Sequence, residues 1–161
     1  MKIKFSLFLV TVFSCFIFTS SFSQEAKEAE ESEGKNEIAV FLGGTSQMGD
    51  EGASAFTLGL DYQYRVGKLI GLGFLFDHAM GDIKSTLIGP FVAFHLRKLV
   101  LIAAPALEFS DGETNPTFRL GVAYEIELPN GFAILPSLNY DNERRNEISL
   151  VYGFSIAKSF Q

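Results

Sequence analysis

The chain has 161 residues, 47% of them hydrophobic, with one cysteine and a formal net charge of −6. That length suits one domain. A single cysteine excludes a disulfide framework and a cysteine-built metal site. An acidic balance without a basic patch excludes nucleic acid as a partner.

Met1 to Ser23 reads as a secretory signal peptide. Lys2 and Lys4 precede an apolar run from Phe5 to Phe18, and Ser21-Phe22-Ser23 before Gln24 fits small-x-small cleavage. The run falls short of the ~20 residues that a spanning helix needs. Cys15 lies inside it, and Phe13 stands where a lipoprotein signal wants a small residue. The next stretch, 24–35, is rich in glutamate and lacks aromatic and β-branched residues. It reads as a solvated acidic tether in the periplasm.

From Asn36 onward the polarity alternates. The pattern predicts strands over Asn36 to Gly44, Ser54 to Val66, Leu69 to His78, Thr86 to Arg97, Leu99 to Phe109, Thr117 to Leu128, Phe132 to Asp141 and Glu147 to Phe160. In the second, Phe56, Leu58, Leu60, Tyr62 and Tyr64 point one way; Thr57, Gly59, Asp61, Gln63 and Arg65 point the other. The sixth and eighth repeat this, while the third to fifth carry apolar residues on both faces. Tight turns are expected at 67–68, 97–98 and 129–131, and longer loops at 45–53, 79–85, 110–116 and 142–146.

A soluble lipocalin-like carrier would turn its apolar face inward and show water a face rich in Lys and Glu. Here the second face is mostly Gly, Ala, Ser and Thr with a few charges of both signs, which suits a crowded lumen. Phe and Tyr near the strand ends, Phe118 among them, suit interfacial girdles. The fold expected is therefore all-β: an eight-stranded antiparallel up-and-down transmembrane β-barrel over 36–161, both termini periplasmic, in the outer membrane of a Gram-negative cell envelope.

This architecture resembles the small eight-stranded outer-membrane barrels, of the type of the OmpA membrane domain and OmpX. The final strand, with Tyr152, Phe154 and Phe160 followed by Gln161, resembles that family's assembly signal. The resemblance implies recognition by the barrel-assembly machinery and contact with outer-membrane lipid and lipopolysaccharide.

The lumenal charge set expected is Glu37, Asp61, Arg65, Asp77, His95, Arg97, Glu108, Arg119, Glu125, Glu127 and Asp141, with Asn139 beside them. Buried charges must pair, and an eight-strand interior has room only for side chains, so the set reads as a salt-bridged plug. A narrow, porin-like conduit for small solutes or ions is the competing reading. No catalytic residue, metal or cofactor is expected. Asp77 and His78 point to opposite faces, and nothing near either histidine completes a nucleophile–base set. The His-Ser pair of the lipid A deacylases is absent, since Ala79 and Leu96 follow the two histidines. Loop carboxylates Asp50, Glu51, Asp111, Glu113 and Glu143 and the pair Arg144-Arg145 read as a solvated outer surface. The acidic tether is the one feature that speaks for an envelope partner.

Overall fold

The structure, a computed structural model, describes residues 36–48, 53–143 and 148–161. The signal peptide, the tether, Asp50, Glu51 and the Arg144-Arg145 pair lie outside the described residues. Eight strands follow one another: β1 (Asn36–Met48), β2 (Ser54–Arg65), β3 (Ile70–Ala79), β4 (Ser85–Leu96), β5 (Leu99–Ser110), β6 (Glu113–Tyr124, continued by Ile126–Leu128), β7 (Phe132–Glu143) and β8 (Ile148–Phe160). Each pairs antiparallel with its neighbours in sequence, and β1 pairs with β8 from Asn36↔Phe160 to Met48↔Ile148. The sheet closes into a barrel, so no strand edge is left unpaired.

The alternation sorts the side chains as read. Leu60 is 52% exposed and Leu120 51%, whereas Thr57 on the inner face is 1% exposed. The outer surface carries a continuous band of Ile, Leu, Val, Phe and Tyr. Tyr62, Tyr64, Tyr124, Phe132 and Phe160 sit toward the end that holds Asn36 and Phe160; Phe56 and Phe109 sit toward the other. Phe118 belongs to neither girdle, because the register sets it opposite Pro105 in mid-strand.

One connection differs from the sequence reading. Residues 110–116 are not a long loop: β5 and β6 stay paired to Ser110↔Glu113, and only Asp111 and Gly112 turn the chain. Both have positive φ, 50° and 78°, the hand that a two-residue hairpin turn needs. The expected tight turn at 129–131 is present between β6 and β7, with Asn130 and Gly131 also at positive φ, 64° and 70°.

Proline accounts for the two irregularities in the wall. β6 is interrupted at Glu125, yet the register with β7 is unchanged, Ala123↔Ser137 before the break and Ile126↔Ile134 after it. No residue has been inserted. Pro136 falls opposite Tyr124 and has no N–H to give. In the β4–β5 pair, Ile88↔Leu107 and Val92↔Ala103 share one register, which sets Pro90 directly opposite Pro105. The three residues of each strand between those pairs form no ladder.

Glycine admits bulk elsewhere. Gly43 and Gly153 face each other where β1 meets β8. A Cβ on Gly153 would lie 2.3 Å from the Leu42 carbonyl oxygen and 2.9 Å from the Phe41 ring. The ring of Phe41 covers both glycines from inside and is itself buried.

Candidate functional site

The inner face carries the polar network. Alternation within each strand aims its members inward, and the strand register decides which of them meet. Near the end holding both described chain ends, Arg65 bridges Glu37 at 3.2 Å and Glu125 at 3.0 Å. Ser159 donates to the same Glu37 oxygen at 3.2 Å. His95 Nδ1 faces Glu125 Oε2 at 3.7 Å, and its Nε2 lies 3.1 Å from the Gln63 amide nitrogen.

Higher in the barrel, Arg119 of β6 grips Asp141 of β7 with two parallel bonds, Nε to Oδ1 at 2.7 Å and Nη2 to Oδ2 at 2.8 Å. Its Nη1 donates to Asp77 of β3 across the lumen. All three side chains are buried. A bidentate guanidinium–carboxylate pair fixes orientation as well as charge, so Arg119 ties three strands together. Beyond it, Thr117 donates weakly to Glu108 at 3.5 Å, and the Thr45 and Thr57 hydroxyls meet at 2.6 Å.

Asp61 lines a cavity of about 70 Å³ shared with Gln63, His95, Asn139 and Arg119, and makes no ion pair or hydrogen bond among the described residues. A second cavity of about 20 Å³ lies on the other side of Arg119 and Asp77, bounded by Thr57, Glu108 and Asp141. The first has room for a few waters. The Arg119 cluster stands between the two.

Two members of the expected set are misplaced. Arg97 is exposed and sits in the turn after β4, with φ 61°. The strand ends one residue earlier than read, so the side chain leaves the lumen. Glu127 lies past Glu125 at the open rim, where it is exposed. His78 points outward, with Nδ1 2.9 Å from the Thr86 hydroxyl, while Asp77 points in. Tyr152, Phe154 and Phe160 of the terminal strand face outward. The sequence reading passed over Gln63 and Ser159 as network members. It also passed over the inner side of β3–β5, where Leu75, Leu87, Phe91, Val100, Ala104 and Ala106 form an apolar cluster. The only signal of that cluster was the blurred alternation of those strands.

Neisserial surface protein A aligns with a TM-score of 0.63 at 10% identity, over 81% of this chain and 100% of its own. Ail of Yersinia pestis, in complex with the heparin analogue sucrose octasulfate, aligns at 0.59 and 12%, over 80% and 100%. The N-terminal β-barrel domain of Pseudomonas aeruginosa OprF aligns at 0.55 and 14%, over 78% and 99%. The fold is that of the small eight-stranded outer-membrane β-barrels. No protein-family model matches the sequence, and no curated protein matches it significantly.

Proposed function

We propose that the protein is an integral outer-membrane barrel with a packed polar lumen, serving envelope integrity or surface properties without a catalytic step. The observation that carries this reading is the Arg119 cluster, which joins β3, β6 and β7 across the lumen and stands between two small cavities. The continuous outer apolar band fits bilayer hydrocarbon, and closure of the sheet satisfies the backbone that lipid cannot. Export by the secretory pathway would leave both termini periplasmic, with the acidic tether beside any envelope partner. Outer-membrane lipid and lipopolysaccharide would surround the band. The outward aromatic residues Tyr152, Phe154 and Phe160 fit a terminal strand read by the barrel-assembly machinery. The test is cell fractionation followed by electrophoresis with and without boiling. An outer-membrane band that shifts on boiling is expected; a soluble periplasmic protein without a shift overturns the reading.

A second reading, a narrow conduit for ions or small solutes, is favoured by one observation: a single guanidinium and its carboxylates separate the two cavities. Planar-bilayer recordings decide between them. The parent protein should be silent; conductance steps above background in the parent would establish the conduit.

A further inference from the structure

The two proline breaks flank one hairpin. Between β5 and β6 the ladder is uninterrupted from Leu99↔Tyr124 to Ser110↔Glu113. On its β4 side, Pro90 faces Pro105 in mid-strand. Pairing of β3 with β4 runs unbroken through Phe74↔Pro90, and pairing of β5 with β6 runs unbroken through Pro105↔Phe118. Both missing donors therefore belong to the β4–β5 seam. No ladder pair joins Gly89, Pro90 and Phe91 to Ala104, Pro105 and Ala106 there. On the β7 side, Pro136 withdraws another donor opposite Tyr124. A lipid-facing wall has no water to replace such bonds, and these are the two seams whose ladders are interrupted.

What holds the hairpin besides its ladders is side-chain chemistry reaching across the lumen. Arg119 reaches from β6 to Asp77 of β3 and Asp141 of β7. Glu125, at the break in β6, holds Arg65 of β2. We propose that the β5–β6 hairpin is a panel of the barrel wall that yields laterally as one body, with Arg119 and Glu125 as its latches. A rigid hairpin displaced from β4 is displaced from β7 as well, so the two seams loosen together. The inner wall behind the Pro90–Pro105 seam is apolar, with Leu87, Phe91, Ala104 and Ala106 buried there. An opening at that level meets hydrocarbon rather than water, which removes the usual penalty for exposing such side chains. The adjoining cavity, about 70 Å³, has no room for a lipid chain as it stands. The seam therefore encodes a motion and not a resident ligand.

Native-state amide hydrogen exchange of the full barrel in lipid nanodiscs, with a urea series, tests the panel. Amides of Ile88, Val92, Ala103 and Leu107 at one seam, and of Val122, Ile126, Ile134 and Leu138 at the other, should share one opening equilibrium and one urea slope. They should exchange at least about tenfold faster than amides within β5–β6 or across β1–β8. Uniform protection around the barrel, or two seams with different urea slopes, overturns the proposal. Restoring donors with Pro90→Ala and Pro105→Ala should slow exchange at the distant β6–β7 seam too; slowing at β4–β5 alone overturns it. If that double variant does not assemble, Pro136→Ala is the reciprocal experiment: it should slow β4–β5, and an effect confined to β6–β7 overturns the panel.

Discussion

Arg119 and Leu120 are neighbours with opposite requirements, and exchanging their chemistry tests the inside–outside assignment. Leu120 is half exposed in mid-strand, on the outer band. An arginine there must put its charge into hydrocarbon, at ~2–4 kcal/mol near the midplane, or about 30- to 700-fold in the folding equilibrium. Arg119→Leu does the reverse: it leaves Asp77 and Asp141 facing each other without their cation. Removing one partner of a buried pair costs ~3–5 kcal/mol, and here two carboxylates lose the same partner. Urea unfolding in lipid vesicles, followed by far-UV circular dichroism and the boiling-dependent band shift, measures both; the chain has no tryptophan for fluorescence. Both single variants should be destabilised in these ranges. A Leu120→Arg protein within ~0.5 kcal/mol of the parent, the scatter of an ordinary surface substitution, would mean that the outer band meets water, and the reasoning would fail.

Gly153→Val should prevent barrel closure, because its Cβ alone would sit 2.3 Å from the Leu42 carbonyl oxygen and 2.6 Å from the Gly43 Cα; the boiling-dependent band should vanish. Phe160→Ala should slow assembly in vesicles containing the insertion machinery while leaving spontaneous refolding into detergent unchanged, as time courses of the band shift would report. Gly112→Ala should cost about 1 kcal/mol, because the turn needs positive φ at that residue; a shift in urea midpoint checks it.

Much of the barrel could be read from the chain because a period of two is a local property. Phe56 to Arg65 or Ile148 to Ala157 states its own two faces. Strand ends are harder, since one residue decides them: Arg97 looked lumenal by parity and turned out to occupy the turn. Residues 114–116, Thr-Asn-Pro, look like loop because nothing local favours a strand, yet the turn at Asp111-Gly112 and pairing with β5 hold them in one. The charged network was legible in membership and not in partnership. Which carboxylates meet Arg119 depends on how β3, β6 and β7 are staggered around the barrel, and no single strand carries that information. The same holds for Pro90 and Pro105, fifteen residues apart in the chain and opposite each other only once the register is fixed.

The meeting of Gly43 with Gly153 has a kinetic meaning. It joins residues separated by almost the whole described chain, so its loop-closure cost comes due only after the intervening strands are in place. Until then the molecule is an open sheet with two bare edges, each a template for the wrong partner. Two residues without side chains let the first and last strands press together, and Phe41 then covers the join from within. Closure is thus the step at which an aggregation-prone ribbon becomes a particle without edges, and a fault at this one joint would be felt before folding ends.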